Sequence, residues 1–329
     1  MIIAGDIGGT KTVIALYERT TGGLRQAAER VFHSAQYGSL ESILDDFLRD
    51  HSGLRLEDAC FGIAGAIIDG KVHTTNLTWN VSEAALATAL KCRVKLLNDL
   101  QSTAYGVRYL AREELEVLNP GSWPRPKGNI AVIAAGTGLG EAMLYWDGTR
   151  HHPIATEGGH AAFAPRDDRE IELLRYLRQR YGGHISNERL LSGPGFYNIY
   201  SFLRDTGAAP EPDWLKQKLA AADDHSAVIS EVGLAGQSEL CAATLELFSS
   251  IYGAEAGDLT LRCLALGGVF IAGGIAPKML KVLHDGSFMN AFVDKGRFKE
   301  VLERVEVSVA LNPHAPLIGA AHYAMGMSL

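Results

Sequence analysis

The stretch that decides the fold is GDIGGTKT, which runs from Gly5 to Thr12 near the start of the chain. The apolar residues MIIA precede it and VIALY follows it, so an acidic residue ends one predicted strand and two glycines turn the chain into the next. Glycines let backbone N–H groups converge on an anion, while Thr10 adds a hydroxyl and Lys11 a positive charge. Taken alone, the stretch is consistent with either a hairpin turn or a phosphate-binding turn.

The same arrangement occurs again further along the chain. An apolar strand from Ile130 to Ala134 leads into the glycine turn GTGLG at 136–140, and the strand EAMLYW follows. Thr10 and Thr137 are 127 positions apart (137 minus 10), about one domain length, which suggests two related halves. A third glycine turn, IAGGIAP at 271–277, joins a strand to a helix, where glycine permits an adenosine to lie against the backbone but also serves ordinary strand-to-helix turns.

The composition is that of a globular protein with an excess of glycine. Glycine accounts for 36 of 329 residues, about 11% against a usual ~7%, without a G-X-Y period. The 31 basic and 38 acidic residues give a net charge of −7, so we expect no broad basic surface and no nucleic-acid partner. The length favours two domains, and strands alternating with helices predict the α/β class.

The cysteines and the two termini predict a cytoplasmic protein. No C-x-x-C pair and no disulfide framework is present, so we expect reduced, buried thiols at all four positions, which are Cys60, Cys92, Cys241 and Cys263. The N-terminus lacks the basic region and long apolar stretch of a signal peptide. The uncharged segment 307–329 is interrupted by Pro313 and Pro316, so we expect no membrane span.

Other segments extend the match beyond the glycine turns. Together they resemble the actin-like sugar kinase superfamily and, within it, the bacterial hexokinase-like glucokinases, in family order over nearly the whole chain. The further segments are LLNDL at 96–100, EGGHAAFAP at 157–165, ERLLSGPG at 188–195 and LNPHAPLIGAA near the end. Two departures are visible: Lys11 stands where many members have asparagine, and Ala134 replaces a frequent glycine.

The resemblance implies an actin-like, ribonuclease H-like fold of two α/β domains with a ligand cleft between the lobes. The expected small domain is 1–112, with the C-terminal helix 314–329 packing back on it, and the expected large domain is 113–313. The proline-rich stretch 119–128 is predicted to be a linker or a domain crossing. Homodimers are common in this family, so the resemblance also implies a homodimer.

The resemblance implies that ATP and Mg²⁺ are bound at the three glycine turns. Asp6 is expected to hold Mg²⁺ through water. The residues expected to contact the nucleotide are Asp6, Gly8, Gly9, Thr10, Lys11, Gly136, Thr137, Gly138, Gly273, Gly274 and Ile275.

The resemblance also implies a sugar-binding set, and each member has a structural alternative. Asp99 is expected to be the base that orients the attacking hydroxyl, with Asn98 on a neighbouring hydroxyl, although either could simply cap a helix. Glu157 and His160 are expected to bind sugar hydroxyls, but could be the polar ends of a turn. Glu188 is expected to bind the sugar too, yet a first-turn acid also interacts favourably with a helix dipole.

The function implied is that of a glucokinase, which transfers the γ-phosphoryl of MgATP to the 6-hydroxyl of glucose. His160 is followed by AAFAPRDD rather than by the cysteine-rich zinc motif of the repressor/ORF/kinase family. The pair His151-His152 is predicted to lie in a solvated loop rather than at a metal. Three alternatives stay open: a kinase for another hexose or using polyphosphate, a sugar-responsive regulator, and an actin-like ATPase scaffold. We expect no helix-turn-helix ahead of the first strand.

Overall fold

The structure, a computed structural model, describes residues 1–51, 53–74, 77–122 and 126–327. Residues 123–125 of the predicted linker and 328–329 of the predicted C-terminal helix lie outside the described residues. The chain divides into two compact units. Unit 1 comprises Met1–Glu114, Pro153–Ala155 and Asn312–Leu329, and unit 2 comprises Leu115–His152 and Thr156–Leu311.

The described residues form strands and helices that alternate along much of the chain. The strands are β1 (Ile2–Ile7), β2 (Lys11–Thr20), β3 (Gly23–His33), β4 (Asp58–Ile63), β5 (Lys71–His73), β6 (Asn80–Ser82), β7 (Arg93–Asn98), β8 (Leu115–Asn119), β9 (Ile130–Ala135), β10 (Leu139–Trp146), β11 (His151–Ala155), β12 (Val269–Ala272) and β13 (Val307–Ala310). The helices are α1 (Leu40–Arg49), α2 (Glu83–Leu90), α3 (Asp99–Gly106), α4 (Asp168–Tyr181), α5 (Gly193–Asp205), α6 (Asp213–Ala220), α7 (His225–Leu234), α8 (Glu239–Cys263), α9 (Leu280–Leu283), α10 (Ser287–Val293), α11 (Lys299–Glu303) and α12 (Ala315–Gly326).

Unit 1 is built on a mixed sheet with the order β3-β2-β1-β4-β7. The first three strands form an antiparallel meander, while β4 and β7 run parallel to β1. Ser39 caps α1, since its side chain accepts a hydrogen bond from the backbone N–H of Ser42. Because β1, β4 and β7 are parallel, their carboxyl ends meet at one edge, where ligands of open α/β sheets usually bind.

Two glycines let α12 pack closely against α3. A Cβ on Gly106 would lie 1.9 Å from the Ala315 carbonyl oxygen, and one on Gly319 would lie 1.8 Å from the Ser102 carbonyl oxygen. The Ser102 hydroxyl also donates to the Pro316 carbonyl at 2.7 Å. This close contact fixes the position of α3, the helix that begins at Asp99.

Unit 2 has a second mixed sheet with the order β11-β10-β9-β12-β13-β8, so the α/β prediction is confirmed. Here β9 and β10 are antiparallel neighbours, and β12 runs parallel to β9. The buried helix α8 packs against α5, α7 and α10 in the larger hydrophobic core. Phe196 and Phe248, from α5 and α8, stack with ring centroids 4.1 Å apart.

Helix α7 ends at Leu234 and α8 begins at Glu239, because Gly236 adopts a positive φ of 67° between them and Ser238 caps α8. Two predictions about local structure were wrong in detail. His151 and His152 lie half-buried on β11 rather than in a solvated loop, and His151 Nε2 is hydrogen-bonded to the Gly128 carbonyl. Three cysteines are buried free thiols as expected, but Cys92 is only half-buried.

In the part of the chain that the structure describes, no helix is long and apolar enough to cross a membrane.

Candidate active site

The first glycine turn is a tight hairpin between β1 and β2. The backbone N–H of Gly8 donates to the Lys11 carbonyl at 3.0 Å, and a Cβ on Gly8 would lie 2.9 Å from that same oxygen. Glycine is therefore required at position 8 by the close approach of the backbone. The Gly8 N–H is satisfied within the turn, whereas the side chains of Thr10 and Lys11 are exposed.

Ser34 supports this turn from the end of β3. Its N–H donates to the Thr10 carbonyl at 3.0 Å, and its hydroxyl donates to the Gly8 carbonyl at 2.7 Å. Since that proton is used, the Thr12 hydroxyl donates to Ser34 Oγ at 2.9 Å. Thr12 and Ser34 are both fully buried. Ser34 could not be predicted from the sequence, because it is far from the turn in the chain and matches no motif.

Asp6 and Asp99 bring two carboxylates to the carboxyl edge of the sheet in unit 1. Asp6 is near the end of β1, and Asp99 begins α3 directly after β7. Burial and, second, the negative charge of Asp99 raise the pKa of Asp6 to about 6, although the positive charges of Lys11 and His314 oppose the rise. Two partly buried carboxylates therefore lie at this edge of the sheet, and a bound cation would reduce the repulsion between them.

Asn98 is the N-cap of α3. Its Oδ1 accepts from the Leu100 N–H at 2.9 Å, and its backbone N–H donates to Gln101 Oε1 at 3.0 Å. Its side-chain amide donates to the Gly65 carbonyl at 3.2 Å, which leaves one N–H of that amide for another acceptor. The capping network fixes the backbone at the point where Asp99 begins the helix.

The second glycine turn joins β9 to β10 and is shorter than the motif suggests. Leu139 and Gly140 of GTGLG already belong to β10, so the turn is limited to residues 136–138. The Gly136 N–H donates to the Gly138 carbonyl at 2.8 Å, and the Gly193 N–H donates to the Gly136 carbonyl at 2.8 Å. The Thr137 side chain is exposed.

Glu188 connects the second turn to His160. Glu188 Oε2 accepts from the Leu139 N–H at 3.0 Å, and Glu188 Oε1 lies 4.0 Å from His160 Nδ1. Glu188 belongs to a short 3-10 helix, Asn187–Arg189, directly ahead of α5. The structure thus brings together two of the predicted sugar ligands and places one of them against the turn at 136–138.

Glu157 directly precedes another short 3-10 helix of the site, Gly158–His160. The Glu157 carbonyl accepts from the His160 N–H at 3.0 Å, and the side chains of both residues are exposed. Gly159 is buried against β10, where an added Cβ would lie 2.0 Å from the Leu139 carbonyl oxygen. The glycines therefore allow the loop 157–160 to lie directly on β10. The sequence analysis did not identify Glu141, the buried acid beneath this loop.

The second and third glycine turns are neighbours because β9 and β12 are parallel strands of one sheet. The Ile275 N–H donates to the Ala135 carbonyl at 3.2 Å. Gly273 has a φ of 83°, and a Cβ there would lie 2.4 Å from the same Ala135 oxygen, so both conformation and space require glycine.

A cavity of about 930 Å³ opens beside these two turns, within the range of ligand pockets. Its lining in unit 2 includes Thr137, Tyr197, Ser226, Gly274, Ile275 and Lys278. Apolar and aromatic groups meet backbone and hydroxyl groups here, a combination suited to a planar base and its ribose. Within the described ranges no cluster of three or more His, Cys, Asp or Glu could hold a metal ion directly.

Comparison with known proteins places the chain among sugar kinases. The family model described as Glucokinase matches residues 3–327. A relative named Glucokinase from Nostoc punctiforme is 40% identical over 334 residues, covering 98% of each chain. The crystal structure of a glucokinase from an Antarctic psychrotroph has a TM-score of 0.86 at 32% identity and covers 99% of this chain and 98% of that one. A ROK family glucokinase from Streptomyces griseus, solved in complex with glucose and AMPPNP, has a TM-score of 0.64 at 20% identity, covering 99% of each chain, and shows the shared fold.

Proposed function

The chain belongs to the glucokinase family of ATP-dependent sugar kinases, and we propose that it transfers the γ-phosphoryl of MgATP to the 6-hydroxyl of glucose, giving glucose 6-phosphate and ADP. The single observation that carries the assignment of the site is the carboxylate of Glu188. One of its oxygens accepts from the second glycine turn and the other faces His160. A group predicted to bind the sugar is thereby joined to a turn predicted to bind phosphate.

Asp99 is proposed to orient the attacking hydroxyl and accept its proton. Its carboxylate lies at the first turn of α3, where its Oδ1 accepts from the Leu100 N–H at 2.9 Å. The helix N-terminus favours the ionised form that a base needs. Asn98 is proposed to use its remaining amide N–H on the neighbouring hydroxyl, since its oxygen already caps the helix.

The sugar ligands proposed in unit 2 are Glu157, His160 and Glu188. An imidazole and two carboxylates offer both donors and acceptors to the alternating hydroxyls of a hexose. The exposure of Glu157 and His160 supports the proposal, because their polar atoms are open to a ligand.

ATP is proposed to place its adenosine in the 930 Å³ cavity of unit 2, against Gly273, Gly274 and Ile275. The phosphate contacts are proposed to come from the turns, that is from Gly8, Gly9, Thr10, Lys11, Gly136, Thr137 and Gly138. Mg²⁺ fits at Asp6, since a divalent cation would relieve the charge shared by Asp6 and Asp99 and prefers carboxylate oxygens and water. When bound, Mg²⁺ neutralises charge that develops on the transferred phosphoryl group.

Three further features of the protein are also proposals. We propose that the small domain 1–112 with helix 314–329 and the large domain 113–313 are the functional domains, supported by the similar division into units 1 and 2. We propose a cytoplasmic location, supported by four free cysteines and by the use of ATP. A homodimer is proposed from the family resemblance, and light scattering of the purified protein tests it.

The substitution Asp99→Asn tests the proposed base. Asparagine keeps the size of aspartate and an oxygen that can accept from the Leu100 N–H, but it cannot act as a base. We expect kcat to fall by about 10²-fold or more while glucose binding, measured by calorimetry without ATP, changes by less than about threefold. Near-normal turnover would show that Asp99 is not the base. Loss of glucose binding together with turnover would instead make it a sugar ligand only.

A further inference from the structure

Glu141 is a buried acid that none of the proposed steps uses. It lies on β10 with 1% of its surface exposed, among strand neighbours that are largely apolar. An ionised carboxylate is costly to bury unless it is paired and hydrogen-bonded. Among the described residues no hydrogen-bond donor satisfies Glu141 Oε1.

The sugar-binding loop 157–160 rests directly on this residue. The Thr156 hydroxyl donates to the Glu141 carbonyl at 2.9 Å, and the Gly158 N–H donates to the Thr156 hydroxyl oxygen at 3.1 Å. A Cβ on Gly158 would lie 2.1 Å from Glu141 Oε2, so the carboxyl group contacts the loop backbone itself. Both the main chain and the side chain of Glu141 therefore determine where the loop lies.

The acidic groups around Glu141 outnumber the basic groups. On α8, Arg262 Nη1 lies 2.5 Å from Glu255 Oε1 but 3.7 Å from Glu141 Oε2, so the guanidinium is committed mainly to Glu255. Asp258 on the same helix adds a further acid and is paired with Lys295 at 2.6 Å. One arginine thus serves two buried carboxyl groups beneath the loop.

Among the residues that the structure describes, the other titratable groups around Glu141 include no lysine or arginine. Tyr252 and Cys263 on α8 are neutral, and burial raises the pKa of each. The loop above bears Glu157 and His160, and Glu188 lies on the adjacent 3-10 helix. Burial raises the pKa of Glu141 to about 8, with the charge of Glu255 as the second cause. Glu141 is therefore mainly protonated at neutral pH and ionises as the pH rises above about 8.

We propose that Glu141 is a positioning residue for glucose binding, which in its uncharged form holds the loop 157–160 in the sugar-binding arrangement. Its ionisation places an uncompensated negative charge against the Gly158 backbone and beside Glu255, and displaces the loop. The inference rests on the proposed function, because it assumes that Glu157 and His160 bind the sugar. Glucose affinity is then lost on the alkaline side, whereas the nucleotide turns are unaffected.

The test is the pH profile of the Michaelis constants of the whole protein. We expect the KM for glucose at saturating ATP to rise about tenfold from about pH 7 to about pH 9.5, with the KM for ATP changing less than about threefold. In Glu141→Gln, a carboxamide of the same shape that cannot ionise, the KM for glucose should stay at the neutral wild-type value throughout. Glu116→Gln, at a half-buried acid on β8, is the matched control and should keep the wild-type profile.

Two results would overturn the proposal: a wild-type KM for glucose that is constant over this range, or a Glu141→Gln variant that reproduces the wild-type rise.

If Glu141→Gln does not fold, Glu255→Gln provides the second test. Removing the Glu255 charge lowers the pKa of Glu141 and leaves Arg262 to compensate its ionised form, so the wild-type rise in the KM for glucose should be lost, and an unchanged profile counts against the proposal. A protein that never phosphorylates glucose at neutral pH refutes the proposed function instead.

Discussion

The turns at 8–11 and at 136–138 share one sequence pattern but are held in place by different groups. Both connect antiparallel strands, and each uses the N–H of its first glycine in a hydrogen bond within the turn. The first turn is supported by the buried hydroxyls of Thr12 and Ser34. The second is supported by the carboxylate of Glu188, which is about one-third exposed.

In the first turn, the supporting residues are not the proposed ligand-binding residues. In the second turn, one residue has both roles. Ser34 and Thr12 are fully buried, so they can act on a ligand only through the backbone of the first turn. Glu188 supports the second turn with one oxygen and faces His160 with the other. A change at Glu188 should therefore affect both substrates, whereas a change at Ser34 should affect the nucleotide alone.

The largest effect is expected from Glu188→Ala. The substitution removes an ionic hydrogen bond to the Leu139 N–H and a proposed contact to the sugar, each worth about 1.5–3 kcal/mol. We expect kcat/KM for glucose to fall by about 10²- to 10³-fold and the KM for ATP to rise as well. Initial rates with both substrates varied provide the measurement.

Glu188→Gln is the control for this prediction. Its carboxamide oxygen can still accept from the Leu139 N–H, so the KM for ATP should recover while glucose use stays impaired. If Glu188→Ala leaves the KM for ATP unchanged, the carboxylate does not hold the turn at 136–138 in its nucleotide-binding form.

A smaller effect is expected from glycine substitutions within the second turn. A Cβ on Gly138 would lie 2.5 Å from Glu188 Oε2, whereas a Cβ on Gly136 would meet nothing within 4 Å. Gly138→Ala should therefore displace the carboxylate and lower kcat/KM for glucose by about 10- to 100-fold. Gly136→Ala, the matched control, should remain within about threefold of wild type in the same assay. Equal losses in the two variants would mean that the turn backbone, not the contact with Glu188, is the sensitive element.

Much of the fold could be predicted from the sequence because its elements depend on local patterns. The strands around Asp6 alternate with glycine turns, and Ser39 marks the start of α1. The start of α8 cannot be located from periodicity, because this helix is buried on nearly all sides and has no amphipathic pattern. The edge strand β11 was missed since His151 and His152 lack a strand pattern, and their pairing depends on β10.

The candidate site could be predicted only where its residues lie in motifs. Glu157, His160 and Glu188 stand in segments that resemble the family, and the structure brings His160 and Glu188 within 4.0 Å. Ser34 and Glu141 lie in no motif, and they reach the site only through the register of β2 with β3 and of β9 with β10. Supporting residues of this kind require tertiary structure, because their partners are distant in the chain.

The smallest catalytic effect is expected from Ser34→Ala. The variant leaves the Gly8 carbonyl without its side-chain donor and the buried Thr12 hydroxyl without its acceptor, which should cost about 1–3 kcal/mol of the free energy of unfolding. The KM for ATP should rise a fewfold, about two- to fivefold, while the KM for glucose stays constant, because the support acts only on the first turn. Ser201→Ala is the matched control, since among the described residues the buried Ser201 hydroxyl has no hydrogen-bond partner, and its removal should change neither stability nor KM. Denaturant unfolding and initial rates measure both quantities, and a rise in the KM for glucose in Ser34→Ala would remove the contrast between the two turns.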